Sequence, residues 1–217
     1  MAAGARVHQQ IGEGAEAETR TLMASEALVK SFREDNGEVN CHEITSINKD
    51  STNMDMVKYF LLKGGSIGCF RMASRFASLA YDDIEASLTE QNIDIPDSPI
   101  SCTSLLAQKS HANEKHQTMV AGLAGGIGLS GEACGALGTA VWIEAMKIKR
   151  EDPELDLWKD EKFGEKFETL LEKFLAASDY EFECADIVGR KFENIEDHAS
   201  YISEGGCSKI IDALAAD

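Results

Sequence analysis

The run Gly125-Gly126-Ile127-Gly128-Leu129-Ser130-Gly131-Glu132-Ala133-Cys134-Gly135-Ala136-Leu137 leads straight into an apolar, periodic stretch that reads as a helix from Glu132 to about Arg150. This reading places Cys134 in the first turn of a helix. Unpaired backbone N–H groups carry partial positive charge there, which predicts a thiol that loses its proton easily and acts as metal ligand or nucleophile. Outward from this helix the same three- and four-residue apolar spacing recurs nearly throughout, and the alternation typical of strands is absent, so the chain is expected to be all-α. Thr21 to Phe32, Met54 to Lys63, Cys69 to Ser87, Cys102 to Lys109, Asn113 to Leu123 and Glu161 to Ala177 each read as helices. Short helices follow around Cys184 and from Gly206 onward. Gly64-Gly65 reads as a helix stop, Pro153 closes the long helix, and Pro96 and Pro99 mark a linker. The expected architecture is a helical bundle with short loops: a flexible N-terminus over 1–20, a helical segment over 21–95 and a cysteine-bearing helical core over 96–217.

Composition narrows the function. The chain has 217 residues, 43% of them apolar, enough for a substantial core. Its net charge is −17, from 38 acidic and 21 basic side chains, which repels polyanions such as nucleic acid or an anionic bilayer and suits a basic redox partner protein. Met1 to Arg20 lacks the apolar stretch of a signal peptide, and no run approaches the ~18 apolar residues of a membrane span, so a cytoplasmic location is expected. In a reducing compartment the six cysteines are buried small hydrophobes, metal ligands or redox thiols rather than a disulfide framework. Association into a homodimer is left open by the sequence.

A sparse internal repeat links the two ends of the chain. Leu28-Val29-Lys30-Ser31-Phe32 precedes Cys41-His42-Glu43-Ile44, then Gly64-Gly65 and Cys69 opening a helix. Leu171-Glu172-Lys173-Phe174 precedes Cys184-Ala185-Asp186-Ile187, then Gly205-Gly206 and Cys207 opening the last helix. The second cysteine follows the first by 28 residues in one copy and 23 in the other.

Four anchors occur in order from Ile100 to the C-terminus: Ile100-Ser101-Cys102 opening a helix; the block Gly122 to Leu137 around Cys134; Glu183-Cys184-Ala185-Asp186-Ile187-Val188-Gly189; and Gly206-Cys207. In this the chain resembles the redox-active family named for its C, GCAxxG, C and C pattern. The resemblance implies that Cys102, Cys134, Cys184 and Cys207 act together in redox chemistry and hold an iron centre.

Four thiolates suffice for an iron–sulfur cluster or a tetrahedral zinc, but no C-x-x-C clamp is present, so the ligands must come from four separate segments. Gly126-x-Gly128-x-x-Gly131 formally matches a dinucleotide fingerprint, yet it lacks the strand that such a fingerprint requires. Gly125, Gly126, Gly128 and Gly131 are instead expected to let backbone approach the inorganic centre and to aim N–H donors at its sulfurs. His111 and His116 read as a solvated turn, His8 as part of the flexible N-terminus and His198 as part of an acidic surface segment. Trp142, Trp158, Phe163, Phe167 and Phe174 read as core. Cys41 and Cys69 either duplicate half of a cluster site or fill the core. The reading is an electron carrier holding an iron–sulfur cluster on Cys102, Cys134, Cys184 and Cys207. A thiol–disulfide oxidoreductase using Cys134 and a zinc-stapled interaction module are the alternatives.

Overall fold

The computed structural model describes residues 1–48, 50–62 and 65–215. Among them the chain forms helices and no strand; a lone antiparallel bridge joins Ala133 to Glu183. In chain order the helices are α1 (Ala2–Gln10), α2 (Ala15–Asn36), α3 (Cys41–Thr45), α4 (Asn53–Val57, continued by a π-helical turn over Lys58–Leu62), α5 (Gly65–Thr89), α6 (Cys102–Lys109), α7 (Glu114–Ala121), α8 (Gly135–Glu151), α9 (Glu161–Ala177), α10 (Cys184–Val188), α11 (Ile195–Ser203) and α12 (Ser208–Ala215). The expected all-α fold is present, and the helices expected at Cys102 to Lys109 and at Glu161 to Ala177 have those bounds. The stop assigned to Gly64-Gly65 falls partly outside the described residues, and Gly65 itself opens α5.

The core lies between α6, α8, α9 and α12. Phe174 of α9 is fully buried and packs with Leu106, Ile202, Ile211 and Leu214. Leu22 of α2 joins the same cluster. Side-chain caps set several helix starts: Ser101 accepts from the Ser104 N–H, Asn113 from His116, Asp160 from Phe163 and Asn194 from Asp197.

The N-terminus is not the flexible tail that the sequence suggests. Residues 2–10 form α1, which packs on α7 and α2, and Val7 is 0% exposed. A short helix of small residues escapes a periodicity reading because its contact is made by backbone closeness. A Cβ on Gly4 would lie 2.6 Å from Met119 Cα and from the Thr118 oxygen.

The two segments paired in the sequence, over α2 to α5 and over α9 to α12, share local features. Both α3 and α10 have five residues, open on a cysteine and end on a left-handed residue, Ser46 (φ 59°) or Gly189 (φ 80°). In each copy the second glycine lies against a tyrosine ring. A Cβ on Gly65 would be 2.2 Å from Tyr59 Cε1, and one on Gly206 would be 2.3 Å from Tyr201 Cε1. In each copy that tyrosine meets the second cysteine: Tyr59 Oη is 3.7 Å from Cys69 Sγ, and the Tyr201 hydroxyl donates to Cys207.

α5 packs along α2 through Phe32 and Phe76, edge to face at 4.9 Å, and an ion pair joins Arg75 to Asp35. Its C-terminal end is held by the buried Arg20, whose Nη1 donates to the carbonyls of Ser87, Leu88 and Glu90 at 2.8, 3.2 and 3.0 Å. Only Gly65 and Ser87 are buried along the helix.

This distribution of burial predicts an unequal response to truncation. Phe174→Ala should cost about 3–5 kcal/mol in urea denaturation, whereas Phe70→Ala, at a side chain 77% exposed, should stay within about 0.5 kcal/mol.

Candidate functional site

Four helix starts meet at one place. Cys102 is the first residue of α6, Cys134 is the N-cap of α8, Cys184 is the first residue of α10, and Cys207 immediately precedes α12 with φ 58°. With Gly125, Gly126, Phe192, His198 and other neighbours they wall one enclosed cavity of about 10 Å³. That is room for about one water-sized group. All four cysteines are free, and Cys102 and Cys184 are buried.

The glycine run makes this convergence possible. Instead of a loop leading into a longer helix, Gly125, Gly126, Ile127, Gly128 and Leu129 take φ of 62, 77, 66, 59 and 59°, a left-handed turn between α7 and α8. Most of its positions need glycine for space as well as for conformation. A Cβ on Gly126 would lie 2.6 Å from the Glu132 backbone, and one on Gly128 would lie 2.5 Å from the Ser25 oxygen of α2. The turn brings the segment before Cys134 alongside the segment before Cys184. The Cys134 N–H donates to the Phe182 carbonyl at 2.9 Å, Cys184 to Glu132 at 2.7 Å and Ala185 to Gly131 at 2.9 Å. From the N-terminal repeat, Asn40 donates to the Glu132 carboxylate at 2.9 Å and Arg33 pairs with it at 3.6 Å. The dinucleotide reading of the glycines has no support in this geometry, because a helix precedes them.

Burial dominates the electrostatics. Desolvation pushes the Cys102 thiol well above its ordinary range, and the neighbouring Cys207, Cys134 and Cys184 push it further. Burial, then Cys134 and Cys207, raise Cys184 to about 12. Burial and Cys134 raise Cys207 to about 11. Cys134 corrects the sequence reading: desolvation raises the thiol, and the backbone of Leu137 and Ala136 at the start of α8, which favours the thiolate, does not outweigh it. Every pair among the four sulfurs interacts, so each charge opposes the next. Neighbouring polar groups nevertheless pull three of them back toward the thiolate: the Gly125 backbone at Cys102, the Ala136 and Leu137 backbone at Cys134, and Tyr201 at Cys207.

A further polar group lines the cavity and was missed in the sequence. His198, read as surface, is 1% exposed. Its Nδ1 donates to the Ile100 carbonyl at 3.1 Å, and its ring meets Phe192 edge to face at 4.7 Å. Burial lowers its pKa to about 4. The signal that could have found it is the Ile195, Ala199, Ile202 spacing, which places position 198 on the inner side of α11. The aromatic assignment also needs correction: Phe174 is core, but Trp158 is 96% exposed and Phe167 is also exposed. Cys41 and Cys69 do not line the cavity; Cys41 is exposed and Cys69 lies beside Tyr59.

Four soft sulfur donors lining one cavity at helix starts suit, by their chemistry, a thiolate-bound metal centre. As the protein stands, no group of three or more His, Cys, Asp or Glu among the described residues is placed to hold a metal ion. Compared with protein families, residues 98–216 match the one described as "Putative redox-active protein (C_GCAxxG_C_C)", more than half of the chain. The chain belongs to this redox-active family. The comparisons with curated proteins and with solved structures give no match. No helix among the described residues of this C_GCAxxG_C_C protein is long and apolar enough to cross a membrane. The matched region contains all four cavity cysteines, and α2, which supports the glycine turn through Ser25, lies outside it.

The shifts fix how stability depends on pH in metal-free protein. Thiols whose folded pKa values are raised stabilise the fold below their ordinary value near 9.0, and that contribution is lost as pH climbs toward about 11 and 12. His198, lowered from 6.5 to about 4, stabilises above 6.5, and that contribution is lost as pH falls through about 4. Chemical denaturation across this range should give a plateau between about pH 6.5 and 9. Cys184→Ser should flatten the alkaline limb and His198→Gln the acid limb.

Proposed function

We propose that this protein is an electron carrier in which Cys102, Cys134, Cys184 and Cys207 hold an iron–sulfur centre. The observation that carries the reading is the convergence of four cysteines, each at a helix start, on one cavity. Such a centre, when bound, supplies one-electron redox chemistry. The protein's own part is to bind, position and tune. The positive ends of α6, α8 and α12 face the thiolates, a charge distribution that favours an anionic centre. The Gly125, Ala136, Leu137 and Tyr201 donors withdraw charge from sulfur and set the potential, while Phe192 and Ile210 exclude water. The cavity is about 10 Å³, room for one water-sized group, so the cysteine side chains must move to admit a centre of several atoms.

The other two readings are less favoured. Thiol–disulfide exchange needs an accessible thiolate, and burial keeps these thiols protonated at neutral pH. Zinc would satisfy the donor set but is redox-inert, which sits poorly with membership of a redox-active family.

Protein purified without oxygen should contain iron and acid-labile sulfide and show visible absorption that dithionite bleaches. Serine at Cys102, Cys134, Cys184 or Cys207 should lower iron content at least about tenfold, while Cys41→Ser and Cys69→Ser should retain it. Tyr201→Phe should retain iron and lower the midpoint potential, because a donor to sulfur is removed. Colourless protein with stoichiometric zinc, or iron equally sensitive to all six cysteines, would overturn the assignment.

A further inference from the structure

Cys134 has a second face. Besides the enclosed cavity it lines an open groove of about 810 Å³ between α8 and α9, walled by Trp142, Trp158, Phe163, Phe167 and Phe182. This is the size of a small-molecule site. Asp160 is the one charged side chain among the groove's lining residues, and it is already engaged, capping α9 by accepting the Phe163 N–H at 2.7 Å.

Two glycines keep the groove open. Gly138 is the fourth residue of α8 and Gly164 the fourth residue of α9. Neither has the positive φ that would demand glycine, and a Cβ on either would meet nothing within 4 Å. Glycine in a helix interior weakens the helix, so two of them that serve neither conformation nor close packing are unexplained by the fold alone. Both line the groove. Side chains at these positions would project into free space between the aromatic walls. Trp158, 96% exposed at the rim, is likewise unexplained by packing within the chain.

We infer that this groove binds a neutral, planar aromatic electron acceptor of the quinone class. Five aromatic side chains in the lining suit contact with a flat ring. The lining offers no cation for an anionic ligand, and the chain's net charge of −17 repels one. A ring seated there lies against Cys134, one side chain from the four-cysteine cavity. Electron exchange at this contact rests on the iron–sulfur reading. A centre held by Cys102, Cys134, Cys184 and Cys207 would supply one electron, so two reduced protein molecules would be needed to convert one quinone to hydroquinone, with two protons taken from water and both proteins left oxidised.

The probe is 2,3-dimethyl-1,4-naphthoquinone, whose substituted ring cannot alkylate a thiol, titrated into the full chain with tryptophan fluorescence as the readout. Saturable quenching is expected. Gly138→Leu and Gly164→Leu should weaken it at least about tenfold with iron content and circular dichroism unchanged. Cys102→Ser, whose position is outside the groove, should retain quinone binding even when iron is lost. Absence of saturable quenching, equal affinity in the glycine variants, or concentration-dependent self-association that those variants abolish would overturn the site; the last outcome would assign the groove to a second copy of the chain. Binding without reoxidation of the dithionite-reduced protein would support the groove and overturn the electron-carrier reading instead.

Discussion

The structure depends on bringing four thiols out of water into one cavity. A buried thiolate among three others is electrostatically unfavourable, as the raised thiol pKa values show. Helix starts are the backbone positions best suited to offset that burden, since their unpaired N–H groups and dipoles favour negative charge. The topology follows from this requirement. α6, α8, α10 and α12 each begin at a cysteine or one residue from it, so elements far apart in the chain share one end of the bundle. The same cysteines pack with Phe174, Leu106 and Ile211, which couples the site to the main apolar cluster.

Convergence of this kind needs a sharp change of direction before Cys134, and the left-handed turn over 125–129 provides it. Left-handed backbone costs non-glycine residues about 1–2 kcal/mol each, and the turn contains two of them, Ile127 and Leu129. Leu129 is buried in the core cluster, which offsets part of its cost. Gly126 and Gly128 meet the closest backbone approaches, so the turn is held between the Glu132 segment and α2. Residues outside the family match therefore support the site: Ser25, Arg33 and Asn40 all brace this turn or the carboxylate that follows it.

Much of the fold was legible in the sequence, because helical periodicity and caps are local signals. α6 and α9 are examples, expected over Cys102 to Lys109 and Glu161 to Ala177 and found with those bounds. The grouping of Cys102, Cys134, Cys184 and Cys207 was legible through a motif that spans more than half the chain. What was not legible depends on packing. A cysteine at a helix start reads as acidic until burial is known, and for Cys134 burial decides the sign. His198 sits among Glu196, Asp197 and Ser200, so composition marks it as surface, while its neighbours on the inner face of α11 place it beside the cysteines. α1 was missed because Ala3 and Gly4 pack by smallness, which leaves no apolar stripe to detect.

Of the six cysteines, four line the cavity and two do not. The tail unit, α9 to α12, contributes Cys184 and Cys207, and the central helices α6 and α8 contribute Cys102 and Cys134. The N-terminal unit repeats the tail's order down to the tyrosine against the second glycine and beside the second cysteine, but the central helices occur once. Their cysteine-bearing ends face the tail unit, whereas the N-terminal unit meets the centre mainly through α2, which carries no cysteine. Its long α5 packs along α2 and leaves Ile67 and Phe70 exposed. Cys41 and Cys69 thus lie away from the cavity, and the N-terminal helices serve it by bracing the glycine turn and Glu132 through Ser25, Arg33 and Asn40.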